Sequence, residues 1–255
     1  MRRTSVSGVR PTNKQKIKKG MVIIMASNFK ITYNVDMVFC IDATGSMDGV
    51  INMVKKNALN LYSDVMGHMA RKGKTIDKLR VRIVAFRDYL ADRDDAMLVT
   101  DFFSLPEEST DFEECVNSIE AFGGGDDPED GLEALGYAIK SKWNPDGMKK
   151  RQVIVVWSDA ATHRLGYGAS ADGYPKNMAK DFNELTAWWG DKQNPGFVNQ
   201  NAKRLLLFTP NDNYWSTISD TWDNVIHFPS SAEPKYEQVL LFPELCPKPE
   251  LFVEV

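Results

Sequence analysis

The stretch VDMVFCIDATGSM, residues 35–47, decides the fold of this chain. Its first seven residues are mostly apolar, which is typical of a strand buried on both faces of a sheet. Asp42, Thr44 and Ser46 follow at intervals of two residues, and a helical pattern begins after them. One carboxylate and two hydroxyls suit a hard cation such as Mg²⁺ or Ca²⁺ better than zinc or a nucleotide. An ordinary turn in which Ser46 caps the next helix is the alternative interpretation.

The composition is that of an ordinary globular domain. The chain has 255 residues, of which 43% are apolar and 26% charged, enough for one large α/β domain with a full core. The net charge of -4 argues against general binding of nucleic acid. Cys40, Cys115 and Cys246 lack metal-type spacing and are interpreted as reduced thiols. Reduced thiols fit a cytoplasmic protein better than a secreted one.

The two ends of the chain differ from the rest. Residues 1–29 contain basic side chains and no acid, and are predicted to be a disordered extension. A basic arm that contacts an acidic partner is the other interpretation. Its one apolar run, residues 21–26, is too short for a signal peptide or a membrane span, so no membrane association is expected. Residues 30–241 form the predicted domain, and residues 242–255, with three prolines, form an extended tail.

Strand and helix patterns alternate along the predicted domain. Strands are predicted at 35–41, 79–86, 97–103, 153–157, 204–208 and 225–228, and helices at 49–71, 112–122, 128–140, 176–189, 214–222 and 236–241. The short polar link before the third strand predicts that this strand is antiparallel at an edge. The pattern predicts an α/β fold: a doubly wound, mostly parallel six-stranded sheet with one antiparallel edge strand and helices on both faces. Ligands of such sheets bind at the carboxyl ends of the strands.

A second motif, GGGDDPED at residues 123–130, precedes a predicted helix. Glycine-rich loops before helices often hold phosphate, but the four acids here would repel phosphate and favour a cation. The three glycines indicate a close approach of the backbone to another group. A flexible loop with acids favourably placed at a helix N-terminus is the alternative for Asp127 and Asp130.

A third motif, WSDAATH at residues 157–163, ends the apolar strand predicted at the sheet centre. Asp159 is expected to lie level with Asp42, because both follow neighbouring central strands. Two acids in such positions need a neutralising partner. His163 is expected to be a loop residue with local hydrogen bonds rather than a catalytic base or a ligand, since no Cys or second His is nearby.

The order and spacing of these motifs resemble those of the von Willebrand factor A domain, over residues 30–241. The resemblance implies the metal site called MIDAS, with Mg²⁺ (or Mn²⁺) as its cation. Two details resemble the I-like domain of integrin β subunits: the run DDPE at residues 126–129 and the strand end SDAATH at residues 158–163. In that family the acid matching Glu129 contacts the MIDAS metal, and the acid matching Asp126 belongs to a neighbouring cation site.

The same match continues through residues 79–88 and implies a second cation, Ca²⁺. By the resemblance, the first cation would be held by Asp42, Thr44, Ser46 and Asp159, with Glu129 direct or through water. The second cation would be held by Asp88, Asp126, Glu129 and the carbonyl of Pro128. A surface ion pair between Arg87 and Asp88 is the alternative for Asp88.

The chain departs from integrin β subunits in several ways. Gly49 and Val50 stand where that family has the paired acids of a third site, and neither its disulfide-forming loop cysteines nor a secretion signal is recognised. These differences favour the intracellular A domains of microbes and those attached to atypical protein kinases. The resemblance then implies a non-catalytic module that binds a protein with an exposed Asp or Glu. A complex with a kinase, a phosphatase or an ATPase is the expected setting.

Two other functions remain open. Asp42 and the residues after it superficially resemble the nucleophile loop of Mg²⁺-dependent haloacid-dehalogenase-type phosphatases, in which Asp42 would form an aspartyl-phosphate. However, Ala43 stands where that family has Lys, and residues 124–129 have no role in its chemistry. The remaining alternative is an A domain whose metal only stabilises the fold, so that metal removal lowers stability without changing partner affinity.

Overall fold

The computed structural model describes residues 32–229, apart from Lys72 and Asp126. The predictions for the extension at 1–29, the last helix at 236–241 and the tail at 242–255 lie outside the described residues. The site prediction for Asp126 lies outside them as well.

The described strands form one sheet. They are β1 (Thr32–Asp42), β2 (Thr75–Phe86), β3 (Met97–Val99), β4 (Phe103–Leu105), β5 (Lys149–Trp157), β6 (Lys203–Thr209) and β7 (Val225–Pro229). Their order is β3-β2-β1-β5-β6-β7, and β4 also pairs with β2. β2, β1, β5, β6 and β7 run parallel, whereas β3 and β4 run antiparallel to β2. The predicted doubly wound, mostly parallel sheet is confirmed.

The antiparallel edge consists of two short strands instead of the one predicted at 97–103, which gives seven strands rather than six. Thr100 interrupts the edge. Its N–H donates to the carbonyl of Ile83 over 3.0 Å, and its hydroxyl accepts from the Ile83 N–H over 3.0 Å. A side-chain oxygen therefore replaces a backbone carbonyl at this point, and regular pairing resumes at β4.

Helices cover both faces of the sheet. They are α1 (Asp48–Arg71), α2 (Tyr89–Asp92), α3 (Ser109–Ser118), α4 (Gly131–Ile139), α5 (Phe182–Trp189) and α6 (Asn213–Thr221). Side chains alternate along β1, so Phe39 packs into the core shared with α1 and α3. Its neighbour Val38 packs into the core shared with α4, α5 and α6. The buried centre of the sheet thus holds rigidly the strand ends at which the motifs lie.

The helix predicted from Pro128 begins only at Gly131. The Asp127–Pro128 peptide bond is cis, and the following residue, Glu129, is extended and pairs with the loop after β5. Its N–H donates to the carbonyl of Ala161 over 3.0 Å, and its carbonyl accepts from the N–H of His163 over 2.8 Å. These bonds replace the first helical turn and fix Glu129 beside the end of β5.

The described cysteines are free thiols, buried at Cys40 and half-buried at Cys115. Burial raises the pKa of both thiols, and neither is near another cysteine in the described part of the chain. Within residues 32–229, as far as they are described, no helix is long and apolar enough to cross a membrane.

Candidate functional site

Asp42 ends β1 at the carboxyl edge of the sheet and is fully buried. Its Oδ1 accepts hydrogen bonds from the N–H of Thr44 over 3.0 Å and from the Thr44 hydroxyl over 2.6 Å. Its Oδ2 accepts from the hydroxyl of Ser158 over 2.6 Å. Burial raises the pKa of Asp42 to about 6, although the bonds from Ser158 and Thr44 oppose the shift.

The hydroxyls of the first motif link Asp42 to Asp159. The Oγ1 of Thr44 lies 3.1 Å from the Oγ of Ser46, which donates to Oδ1 of Asp159 over 2.9 Å. Burial raises the pKa of Asp159 as well. Four site residues from two adjacent parallel strands therefore form one continuous chain of oxygen atoms.

Glu129 approaches this chain from the loop before α4. Its side chain is buried, and its Oε2 has no hydrogen-bond partner. Burial first, and then repulsion by neighbouring acids including Asp42 and Asp88, raises the pKa of Glu129 to about 9. A buried carboxylate oxygen without a partner is costly, so Glu129 is either protonated or neutralised by a cation.

Gly124 lies between Glu129 and the first motif. It has a φ of 97°, and a Cβ built on it would lie 2.6 Å from Oε1 of Glu129 and 2.9 Å from Cβ of Thr44. The Gly45 N–H donates to the carbonyl of Gly123 over 3.2 Å. The close backbone approach predicted for the glycine run is confirmed, and the group approached is the Asp42 loop, residues 42–47.

Asp88 is buried and follows β2 as the N-cap of α2. Its Oδ1 accepts from the N–H groups of Leu90 and Ala91, and its Oδ2 lies 3.0 Å from Nε2 of His163. The alternative of a surface pair with Arg87 is wrong, because both residues are buried. The expectation of local hydrogen bonding for His163 is also wrong: its ring contacts Asp88, 75 residues away in the sequence, and it stacks on Tyr167.

Arg87 holds the loops of the site together. Its guanidinium donates to four backbone carbonyls, those of Ala43, Asp95, Glu120 and Phe122. Its Cζ atom also lies 3.8 Å from the centre of the Phe122 ring. The Asp42 loop, the link before β3 and the segment before the glycine run are thus joined through one cation. Sequence reasoning missed this role, since an Arg next to an Asp is usually interpreted as an ion pair.

Two further buried acids, Asp130 and Glu133, were not assigned from the sequence. Asp130 accepts from the N–H of Tyr89 over 2.7 Å, and Glu133 accepts from the N–H of Gly166 over 2.8 Å and the hydroxyl of Tyr174 over 2.9 Å. Each has a second carboxylate oxygen without a partner. Burial raises the pKa of Asp130 to about 6 and that of Glu133 to about 8. The only sequence signal was acids at residues 129, 130 and 133 around a helix start.

The described residues contain no group of three or more His, Cys, Asp or Glu side chains that could hold a metal ion. At Asp42, two hydroxyl groups stand between the carboxylates, so a cation there would depend on Thr44 and Ser46 as well. The two-cation arrangement stays a prediction.

Comparison with known protein families identifies the part of the chain in which the predicted ligands lie. Residues 36–162, from β1 to the loop after β5, match the sequence model of the von Willebrand factor A domain family. This region is a von Willebrand factor A domain. The matched part of the A domain contains every described residue of the candidate site, from Asp42 to Asp159.

A curated relative and several solved structures are similar to this A domain. Alpha-protein kinase vwkA of Dictyostelium discoideum is 28% identical over 141 residues, which make up 55% of this chain and 21% of that protein. The chain therefore spans about a fifth of the length of this relative. The pilus adhesin SpaC of Lactobacillus rhamnosus GG is 11% identical with a TM-score of 0.46, over 84% of this chain and 31% of that one. The vWF domain of the type V pili tip protein Mfa5 of Porphyromonas gingivalis is 18% identical with a TM-score of 0.37, over 59% and 43%.

Proposed function

We propose that this A domain is a metal-ion-dependent protein-binding module that captures a carboxylate of its partner through a bound divalent cation. The observation that carries the proposal is the chain of oxygen atoms from Asp42 through Thr44 and Ser46 to Asp159. It lies at the carboxyl edge of neighbouring parallel strands, where such sheets bind ligands.

The spacing of these oxygens suits Mg²⁺ or Mn²⁺. Successive oxygen atoms along the chain are 2.6, 3.1 and 2.9 Å apart. Adjacent ligands of an octahedral Mg²⁺ ion, each about 2.1 Å from the metal, are about 3.0 Å apart. The donor set of carboxylates and hydroxyls is also the one that hard cations prefer. The hydrogen bonds among these side chains therefore hold the oxygen atoms at separations close to those of the ligands of a bound Mg²⁺ ion. The side chains would need little rearrangement to bind one.

Glu129 supplies the second line of support. Its buried Oε2 has no partner, and four acids raise its pKa: Asp42, Asp88, Asp92 and Asp130. A cation would offset this repulsion and give the free oxygen a partner, directly or through water. When bound, the metal supplies a Lewis-acidic position that can accept a carboxylate from another protein. The chain's own residues hold and orient that position, since Thr44 and Ser46 are neutral and leave the cation electron-poor.

The proposal of a second cation, Ca²⁺, has weaker support. It relies on Asp88, Asp126, Glu129 and the Pro128 carbonyl. Both oxygens of Asp88 already have partners, the N–H groups of α2 and the ring of His163. A second cation at Asp88 would have to compete with His163, so the calorimetric experiment below tests for it separately.

A non-catalytic role fits the surroundings of Asp42 better than a phosphatase mechanism. A nucleophilic carboxylate must reach its substrate, whereas Asp42 is fully buried with both oxygens hydrogen-bonded. We therefore propose that the chain is not an enzyme by itself. We also propose that the domain acts together with a kinase in an intracellular complex. The name of the Dictyostelium relative, an alpha-protein kinase, supports this proposal.

Calorimetric titration of the metal-stripped full chain with Mg²⁺, and then with Ca²⁺, tests the proposal. We expect Mg²⁺ binding in the wild type and its loss in Asp42→Ala. Asp64→Ala, which removes an exposed acid on α1, is the matched control and should bind as the wild type does. A separate Ca²⁺ event that Asp126→Ala removes would support the second site. Absence of Mg²⁺ binding would overturn the metal-dependent function.

Capture of a carboxylate can be tested on Mn²⁺-loaded protein by water-proton relaxation, which reports exchangeable water on the metal. Acetate should lower the relaxation enhancement, and the neutral analogue acetamide should not. Equal responses to acetate and acetamide, together with loss of stability on metal removal, would instead indicate a purely structural metal.

A further inference from the structure

An exposed apolar patch lies beside the candidate site. We call it the glycine-loop patch and define it by Leu90, Ala91, Phe122, Gly123 and Gly125. Leu90 and Phe122 are each 43% exposed, which places them among the few large apolar side chains exposed in the described part of the chain. The other three members are also exposed. Large exposed apolar side chains that cluster at one place often mark a contact surface.

Phe122 is fixed directly to the Asp42 loop. Its N–H donates to the carbonyl of Ala43 over 3.0 Å, one residue away from Asp42 and one from Thr44. One face of its ring rests on the guanidinium of Arg87 at 3.8 Å. The ring is thus held in place by the same cation that anchors the Asp42 loop, while much of it faces solvent. A rigid, partly exposed aromatic ring loses little conformational freedom when it binds a partner.

Leu90 and Ala91 lie in the first turn of α2, next to the glycine run. Both donate their N–H groups to Asp88, which holds the first turn of α2 in place. A Cβ built on Gly125 would lie 2.8 Å from Cβ of Ala91, so the glycine run and α2 are in close contact. Asp92, at the end of α2, accepts a hydrogen bond from the Gly124 N–H over 2.9 Å. The patch therefore adjoins Gly124, which itself contacts Thr44 and Glu129.

We propose that the glycine-loop patch is the apolar half of the partner interface, and that it binds a large apolar side chain adjacent in sequence to the captured acid. The partner segment would then consist of an Asp or Glu with a Phe, Leu, Met or Trp within one or two positions. This inference rests on the proposed function, because the carboxylate fixes the partner segment at the metal.

The charges around the patch favour a protein segment over a lipid surface or a nucleic acid. Exposed acids lie beside it at Asp94, Asp95 and Asp127. These acids would repel anionic headgroups and phosphates. In the proposed partner segment, the single carboxylate is attracted by the cation, and the neutral apolar side chain that faces the patch is not repelled by these acids. The arrangement follows the common pattern of a buried apolar anchor beside a specific polar contact.

A displayed library of random linear peptides tests the inference. The full chain, immobilised in Mg²⁺, is used for selection, and bound peptides are eluted with a chelator. We expect the eluted peptides to carry an acid with a large apolar residue within two positions. Synthetic copies of one such peptide, with the acid or the apolar residue changed to Ala or Asn, then serve as probes in titrations.

Variants of the patch distinguish the inference from the metal-dependent function itself. Phe122→Ser and Leu90→Ser should weaken binding of the selected peptide about tenfold while Mg²⁺ affinity stays within about twofold. Phe197→Ser, which changes an exposed phenylalanine on the link between α5 and β6, is the matched control and should leave both affinities unchanged. Leu90→Ser does not touch Arg87, so it tests the patch even if Phe122→Ser loosens the loops.

The possible outcomes distinguish failure of this inference from failure of the proposed function. Chelator-eluted peptides with an acid but no apolar neighbour, or patch variants that bind as the wild type does, would overturn the inference and leave the proposed function standing. If the wild type and Asp42→Ala yield the same peptides, or neither yields any, metal-dependent capture is wrong, and the inference is overturned with it.

Discussion

The hydroxyl of Ser46 donates a hydrogen bond of 2.9 Å to Oδ1 of Asp159, which lies 113 residues further along the chain. The bond joins the loop after β1 to the loop after β5, and these two strands are neighbours in the sheet. It holds Oγ of Ser46 next to Oδ1 of Asp159, at one end of the chain of oxygen atoms. The side chains around it can therefore be tested individually for their effect on metal affinity.

Ser158 is expected to be a positioning residue for Asp42. Its hydroxyl binds Oδ2 of Asp42, so that Oδ1 faces Thr44 and the proposed cation. Loss of such a supporting bond typically lowers metal affinity 10- to 100-fold. We expect Ser158→Ala to lower Mg²⁺ affinity by about this factor in calorimetry. Ser158→Thr, which keeps the hydroxyl, should restore most of the affinity, and a Thr variant as weak as the Ala variant would contradict the positioning role.

Gly124→Ala should damage both the fold and the proposed metal site. Its Cβ would collide with Glu129 and Thr44, in addition to the strain of a φ of 97°. Gly73→Ala is the matched control, because Gly73 has a φ of 66° and open space around its missing Cβ. Urea unfolding should show a loss of about 1 kcal/mol for the control and a clearly larger loss for Gly124→Ala. Equal losses of stability would mean that the close approach of Gly124 to Glu129 and Thr44 does not affect the free energy of unfolding.

Stability in the absence of metal should fall as the pH rises from 5 to 9. The folded protein raises the pKa of Asp42 to about 6, of Glu133 to about 8 and of Glu129 to about 9. Because these carboxyls release their protons near pH 4 when unfolded, the folded state holds more protons in this range. The resulting contribution to the free energy of unfolding is fully present below pH 4 and is lost as the pH rises through the pKa values of the folded protein.

The free energy of unfolding, measured in urea at pH 5, 7 and 9 with EDTA or with Mg²⁺, checks this dependence. Mg²⁺ should stabilise more at pH 9 than at pH 5, since a cation favours the ionised forms of Asp42 and Glu129. Glu133→Gln should make the slope in EDTA shallower and leave the Mg²⁺ effect in place. A slope that Mg²⁺ does not change would argue against a cation near Asp42.

Arg87→Met should destabilise the domain by about 3 kcal/mol or more, because it leaves four backbone carbonyls without their charged donor. Urea denaturation measures the loss. Arg164→Met is the control, since it removes an exposed arginine on the loop after β5 and should change stability little. A loss at Arg87 no larger than that at Arg164 would show that the loops do not depend on this guanidinium.

The sequence predicted the parallel strands of the sheet well, because these strands are continuous apolar runs and the helices between them are strongly periodic. Thr100 divided the edge strand through a side-chain hydrogen bond, and no pattern of apolar residues reports such a bond. Glu129 was extended rather than helical for a similar reason: its backbone pairs with a segment more than thirty residues away.

The candidate site was predictable in part. Asp42, Thr44, Ser46 and Asp159 follow strand ends, and strand order alone brings strand ends together. Arg87 and Glu133 act through buried contacts with distant backbone and with Tyr174, which local sequence does not encode. The burial that raises the pKa of Glu133 likewise depends on the complete fold.

The hydrogen bonds from Arg87 to four carbonyls have a consequence for how the sequence of this domain can change during evolution. Every amino acid carries a backbone carbonyl, so these four hydrogen bonds place no demand on the side chains at Ala43, Asp95, Glu120 and Phe122. Substitutions at the exposed members of this set, Asp95, Glu120 and Phe122, can change what the proposed interface recognises while these four hydrogen bonds remain. Selection could therefore exchange one partner for another here without rebuilding the scaffold.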